Sequence, residues 1–375
     1  MPLDALEFQK SLPRLLAALI GMLVAITVFG FYIGLKADEQ VHQTTGAYLR
    51  TITRSAAKMT SEFIGQRVSE VGWIANEPTL VQGITSANRS YERLSPSEIQ
   101  ARAERIDRDW NSVESDALVR DVLTSDLARW LRRCRELNPR LLKITVADEM
   151  GAAVAATDKP VHYFQTEREY WEALQSGGQG ALHVSELRYD EQSHSHYISV
   201  AYPVLQEGSG RFIGAVIGLV DVSSLFASLN QQQFARGGRI FLVKDDGTVV
   251  TAPDVSPSMK VKSEEYAAVQ DALGTLGGRD TGYISAGLPR GETDLIGFAD
   301  TGLKEAYPNL GWIVVATLNE REAFGPVLGL AQFALLMMIV GLLMLAVMGA
   351  YAFLHRKQYL ADLGMPPEER PRRAA

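Results

Sequence analysis

ITVADEMGAAVAATD (144–158) lies over IFLVKDDGTVVTAPD (240–254) without a gap. Ile144 matches Ile240, Gly151 matches Gly247, Val154 matches Val250 and Asp158 matches Asp254. Each copy reads as an apolar strand, an acidic turn closed by glycine, and a second strand, which is a β-hairpin signal. The glycines suit a turn position with positive φ. In each copy a helical segment and further strands follow. These are ALHVSEL, HYISVAYPVL and RFIGAVIGLVDV after the first hairpin, and DTGYISA, TDLIGFAD and GWIVVATL after the second. The pattern predicts one α+β module used twice, over 138–230 and 231–322, each built on an antiparallel sheet.

Upstream the sequence changes character. From Asp38 to about Gly83 there is no proline before Pro78, and Val41, Tyr48, Ile52, Ala56, Met59, Phe63, Ile64 and Val71 recur at helical spacing. This predicts a long helix with a seam to bury against itself or a partner. After a polar break at 85–97, the segments 98–108 and 117–137 read as further helices, so 36–137 is a helical stalk.

Two apolar runs enclose all of this. Leu15–Leu35 carries no charge and is bounded by Arg14 and Lys36, and Ala323–Leu354 is uncharged and closed by His355, Arg356 and Lys357. Each reaches the roughly 20 apolar residues a helix needs to cross a bilayer. The first is too long for a signal-peptide core and lacks a small-residue cleavage site, so it reads as an uncleaved anchor. Arg356, Lys357, Arg370, Arg372 and Arg373 follow the second run closely and belong on the cytoplasmic side. Residues 1–14 and 355–375 are then cytoplasmic, 15–35 and 323–354 span the membrane, and about 36–322 lie outside. GFYIG (Gly30, Gly34) and GPVLG (Gly325, Gly329) fit close helix packing, though glycine is common in membrane helices generally.

A net charge of −7 over 375 residues, without a long basic run, argues against a nucleic-acid partner. Cys134 is the only cysteine, which excludes an intrachain disulfide and a thiolate metal cluster. His194-Ser195-His196 would place two imidazoles on one face of a strand, but no third ligand of clear spacing accompanies them. GSGRFIG (208–214) lacks the spacing of a phosphate loop and reads as a turn. Neither G-x-S-x-G nor H-E-x-x-H occurs. No cofactor, metal or enzymatic activity is expected.

An anchor, a long outer helix, two successive PAS-like modules and a second span resemble the double Cache sensors, the extracytoplasmic ligand-binding regions of bacterial chemoreceptors, sensor kinases and cyclases. The resemblance covers about 37–324. In the amino-acid-binding branch the membrane-distal module carries Y-x-x-x-x-R-x-W-Y-x-x-A, then a Tyr and an Asp in the next loop, and an Asp ending the last strand. In YFQTEREYWEAL (163–174), Tyr163 and Arg168 stand at that spacing, but Tyr170-Trp171 reverses the aromatic order and Leu174 replaces the alanine. In SELRYDE, Asp190 takes the acidic place and Arg188 stands where tyrosine is expected, with Tyr189 beside it. Asp221 fits the final aspartate.

The resemblance thus implies a ligand site of Tyr163, Arg168, Tyr170, Trp171, Arg188, Asp190 and Asp221. A guanidinium offers two parallel donors to a carboxylate, and aromatic faces hold an ammonium, so these residue types suit an amino acid or another carboxylate. An inward Arg188 favours a dicarboxylate; an outward one leaves the amino-acid reading intact. The bland alternatives are an Arg168–Glu172 surface pair, Trp171 and Leu174 as core, Asp221 as a helix cap and Asp190 as a solvated loop acid. The expected function is sensing: a two-pass, homodimeric bacterial inner-membrane protein binds its ligand in the distal module. HRKQYLADLGMPPEERPRRAA is too short to fold alone, so either a separate partner takes the signal from the second span or the chain is a stand-alone sensor fragment. The alternative is an anchored scaffold or regulatory subunit whose outer modules bind a protein.

Overall fold

The computed structural model describes residues 3–110, 116–166, 168–175, 181–191, 193–231, 234, 237–252, 260–273, 280–289, 291, 293–321 and 335–351. The helices before the first sheet are α1 (Leu3–Ala75), α2 (Pro78–Asn88), α3 (Pro96–Asp109), α4 (Asp116–Thr124) and α5 (Asp126–Leu137). A short 3-10 turn at Arg89–Tyr91 follows α2. The predicted outer helix therefore breaks at Asn76–Glu77, and Pro78 starts a new helix instead of interrupting the old one. Ser95 and Glu98 form a reciprocal capping box that fixes the start of α3.

The first sheet comprises β1 (Leu141–Asp148), β2 (Ala153–Ala156), β3 (His183–Val184), β4 (Arg188–Asp190), β5 (Ser195–Leu205) and β6 (Phe212–Asp221). Helix α6 (Glu169–Gln175) precedes β3, and α7 (Ser223–Asn230) leaves β6. The second sheet comprises β7 (Arg239–Lys244), β8 (Val249–Thr251), β9 (Thr281–Gly287), β10 (Thr293–Asp300) and β11 (Trp312–Asn319), with α8 (Glu264–Leu273) and α9 (Leu303–Ala306) between strands. Strand order is β2-β1-β6-β5-β3 in one and β8-β7-β11-β10-β9 in the other, the same order twice. All pairings are antiparallel. The expected α+β architecture of a long helix and two antiparallel sheets is what forms.

The repeat extends to individual hydrogen bonds. Gly151 and Gly247 both adopt φ of 83°, as the hairpin turn requires. Gln165 N–H donates to the Gly151 carbonyl, and Ser263 N–H donates to the Gly247 carbonyl. Three residues beyond those points stand Arg168 in the first module and Tyr266 in the second. Asp254, the last matched residue of the repeat, lies outside the described residues.

Each sheet is covered on both faces. Helix α1 buries Leu49, Thr53, Ala56, Ala57, Thr60, Ile64, Val68, Val71 and Ala75. A Cβ added at Gly297 of β10 would meet Leu49 at 2.9 Å, and one at Gly218 of β6 would meet Val71 at 2.8 Å. One helix thus backs both sheets. Of the predicted seam, Ala56, Ile64 and Val71 are buried within this chain, whereas Tyr48 is 49% exposed. The opposite face of the first sheet holds Ala147, Ala201, Ala215 and Ile217 against α6, and that of the second holds Phe241, Val243, Ile296 and Phe298 against Tyr266 and Val269 of α8.

The chain divides into two units, Gly46–Asn319 and the pair Met1–Thr45 with Glu320–Ala375. In the second unit Lys36 pairs with Glu39 at 2.9 Å, and residues 335–351 are helical. Among the described residues no helix is long and apolar enough to cross a membrane. Phe324, Gly325, Gly329 and the tail 355–375 lie outside the described residues, as do the side chains of 3–19.

Asp148 closes the first hairpin. Its Oδ1 accepts from Met150 N–H (3.0 Å) and Ala152 N–H (2.9 Å), and its Oδ2 from the Tyr91 hydroxyl (2.7 Å). Burial pushes its carboxyl from 3.8 up to about 6, against the opposing pull of these hydrogen bonds. A pKa raised in the folded state means that the native protein holds this proton more tightly than the unfolded chain. The contribution is full below the unfolded value of 3.8 and is lost as pH rises through about 6. At neutral pH the ionised carboxylate costs up to about 3 kcal/mol, at about 1.4 kcal/mol per pH unit. Asp148→Asn keeps the acceptor for the hairpin N–H groups. Melting curves across pH are expected to show this variant more stable than wild type at neutral pH and flatter from about pH 4 to 6.5. An unchanged slope would assign the titration to another group.

Candidate ligand-binding site

The face of the first sheet that α6 covers also carries most of the predicted site. Arg188, Tyr197 and Asp221 are cross-strand neighbours on β4, β5 and β6. Ala201 and Ile217 lie four residues along the same strands, hence on the same face, and both pack against α6. The row from Arg188 to Asp221 therefore continues the floor beneath that helix.

Arg168 stands immediately before α6 and is half-buried. Its carbonyl accepts from Trp171 N–H (2.9 Å), the first turn of the helix. Among the described residues its guanidinium has neither a side-chain hydrogen bond nor an ion pair, so the alternative Arg168–Glu172 pair does not form. Tyr170 is buried and donates its hydroxyl to Gln165 Oε1 at 2.6 Å. Burial raises its pKa to about 12, with the charges of Arg168 and then Arg188 pulling the other way. Both arginines therefore sit close enough to be felt at that hydroxyl.

Arg188 pairs with Glu169 of α6 and is exposed. Its charge is thus answered within the protein. Asp190 is not free in solvent: it accepts from Ser193 Oγ (2.8 Å) and faces Lys143 Nζ (3.5 Å). Burial raises its carboxyl, but Ser193 and Lys143 outweigh that and hold it below the ordinary value. Asp221 Oδ1 accepts from Ser223 N–H at 2.8 Å, one residue ahead of Val222, the N-cap of α7, and its Oδ2 has no hydrogen bond among the described residues.

Two predicted residues pack into hydrophobic clusters. Trp171 is core, 3% exposed, with its ring edge-on to Phe212 at 5.8 Å; Leu174 is fully buried beside it. Tyr163 packs at a tilt against Trp110, with ring centroids 5.1 Å apart, in a cluster with Val122, Ala152 and Ala156. Burial, and after it the charge of Asp148, raises its hydroxyl to about 12. The structure brings Arg168, Tyr170 and Arg188 together at the start of α6, sets Asp190 and Asp221 along the strand ends, turns the Trp171 ring into the core beside Tyr170, and holds Tyr163 in a separate cluster.

Residues the sequence reading missed are Lys143, Gln165 and Tyr197. Alternation along HYISVAYPVL was the available signal for Tyr197, since it shares a face with Ser199 and Ala201. The two histidines do not share a strand face. His194 adopts φ of 50° in the turn before β5, and His196 packs on Tyr189 (5.0 Å) and Phe226 (5.8 Å). Only one of the pair is on the strand. Among the described residues no group of three or more His, Cys, Asp or Glu is placed to hold a metal. An apolar cleft of about 250 Å³ lined by Trp73, Ile74, Trp130 and Cys134 lies between α1 and α5, and none of the predicted site residues lines it.

The Cache domain family model (dCache_1) matches residues 37–327. The methyl-accepting chemotaxis protein McpA of Pseudomonas putida is 23% identical over 195 residues, which is 50% of this chain and 27% of that protein. The sensory domain of the Campylobacter jejuni chemoreceptor Tlp3, solved with isoleucine bound, superposes with a TM-score of 0.49 at 14% identity, covering 76% of this chain and 97% of that one. The ligand-binding domain of the Pseudomonas aeruginosa chemoreceptor PctB with L-Arg gives 0.44 at 19% identity, with 75% and 98% covered. The family match takes in both sheets, the helices before them and α1 from residue 37 on, and on it the chain belongs to the Cache domain family.

Proposed function

We propose that this Cache protein is a membrane-anchored sensor that binds a small carboxylate, such as an amino acid, at the start of α6 in its first module. The observation that carries the reading is Arg168, a half-buried guanidinium without an internal partner among the described residues. Holding such a charge partly out of water costs free energy, and a bidentate carboxylate offsets that cost. Tyr170 and Tyr197 would face the carbon skeleton, and the spare oxygen of Asp221 would take an ammonium. The second module supports the assignment by contrast. Where the first has Arg168, it has Tyr266, 3% exposed and packed into the core.

The membrane anchoring rests on the uncharged runs and on exposed apolar side chains. Met22, Val28 and Phe29 on α1 are 66%, 64% and 64% exposed, and Leu343 and Met344 are 63% and 68% exposed. A bilayer is the environment that covers such surface. Ligand binding would shift the first module, and the second would pass that change across the membrane to a signalling partner.

A thermal-shift screen of the full chain against amino acids, dicarboxylates and amines tests the ligand class. A true ligand at one hundred times its Kd adds about 2.7 kcal/mol, several degrees in melting temperature. A panel in which only amines act, or nothing acts, would sink the carboxylate assignment.

A further inference from the structure

Contacts between the two modules include the segment that follows α6. In the first module this is β3 with Ser185 and Glu186; in the second it is the loop between α9 and β11 and the end of β7. The Asn309 amide donates to the Val184 carbonyl at 2.9 Å and lies 3.3 Å from His183 Nε2. Lys244 Nζ pairs with Glu186 at 3.0 Å. Phe226 of α7 meets Trp312 with ring centroids 6.3 Å apart.

These contacts join two elements that matter to signalling. On one side the His183 ring lies 6.2 Å from Tyr170, the residue at the start of α6 that feels both arginines. On the other, Asn309 is three residues before β11, and Lys244 is the cross-strand partner of Trp312, the first residue of that strand. Strand β11 then runs to Asn319 and out of the module. A side-chain amide has two N–H groups, so Asn309 can hold the Val184 carbonyl and the histidine nitrogen together. Alanine here loses both.

We propose that Asn309 is the positioning residue that couples the first module to the second, holding β3 through Val184 and His183 while Lys244–Glu186 fixes the same edge. A displacement of α6 moves His183, and Asn309 carries it to the start of β11. The coupling rests on the proposed ligand site only for its input; the mechanical link is tested without ligand.

Hydrogen exchange on the full chain in nanodiscs provides that test. Leu174→Ala loosens the core under α6; Leu174→Val serves where the alanine variant does not fold. In the wild-type background either change is expected to speed exchange in α6 and β5 and also in β7 and β11. With Asn309→Ala added, α6 and β5 respond as before, and the response of β7 and β11 falls at least fivefold. Lys244→Met alone should reduce it less. Equal responses of β7 and β11 with and without Asn309→Ala would overturn the proposal, as would no response in the wild-type background. A compound from the carboxylate panel that slows exchange in α6 is expected to slow β11 only when Asn309 is intact. If no compound binds, the ligand reading fails, and the core-loosening comparison still decides the link.

Discussion

Trp312→Ala is expected to lower the stability of the two-sheet unit by about 3–5 kcal/mol, the range for removing a buried tryptophan. For a unit of this size that is about 10 °C in melting temperature. Trp312 is fully buried. Its carbonyl accepts from Thr301 Oγ1 at 2.7 Å, and its ring meets Phe226 of α7. The alanine variant keeps the backbone bonds, so the loss isolates the ring. Trp312→Phe sharpens the test. Among the described residues the buried indole N–H has no partner, so phenylalanine sheds an unsatisfied donor along with some volume. That variant should cost about 1 kcal/mol, well under the alanine value. Chemical denaturation of both would check this, and equal losses would show that the indole N–H has a partner in solution.

Arg168→Ala should leave the unliganded protein within about 0.5 kcal/mol of wild type, as for a residue whose removal breaks no internal bond. Its effect falls on binding. Losing two charge-assisted hydrogen bonds to a carboxylate, at about 1.5–3 kcal/mol each, predicts at least a hundredfold weaker Kd for any carboxylate hit. Arg168→Lys keeps the charge but not the fork and should lose about tenfold. Arg188→Ala serves as the contrast. Arg188 is answered by Glu169 at an exposed position, where pairs contribute about 0–1 kcal/mol, so its loss should weaken binding far less. Titration calorimetry on the four proteins separates these outcomes. Comparable losses for Arg168→Ala and Arg188→Ala would move the carboxylate contact away from Arg168 alone.

The seam of α1 shows where reading the sequence stops. Choosing the largest apolar residues picks Tyr48 and Phe63. The chain instead buries Leu49, Thr53, Ala57 and Thr60, because the helix comes close enough to both sheets that small side chains and back-bonded threonines fit best. Thr53 Oγ donates to the Leu49 carbonyl and Thr60 Oγ to that of Ala56, which removes the penalty of burying a hydroxyl. Helical spacing alone carries no information about how closely another element approaches.

The site divides the same way. The motif spacing placed Arg168 beside α6 and Asp221 at the end of its strand, but it put Asp190 in a loop, where the structure has the last residue of β4. The partner of Arg188, the separation of Tyr163 from Tyr170, and the approach of Lys143 to Asp190 depend on which strands lie side by side. The two ion pairs join residues 19 and 47 positions apart, set by sheet order. Trp171 is the clearest case. It follows the motif arginine as a family aromatic would, yet it fills core space against Phe212.

By itself the sequence determined the local and the repeated. The hairpin turns needed glycine at 151 and 247 whatever surrounded them, because positive φ is a property of one residue. The duplicated pattern specified two like sheets, because alternation of period two is enough to make a strand. The tertiary structure alone decided what each charge faces. Pairing of Arg188 with Glu169, release of Arg168 and the Asn309 contact to β3 are distances between segments remote in sequence. Electrostatics and hydrogen bonding act over a few ångströms of space, not over positions in a chain.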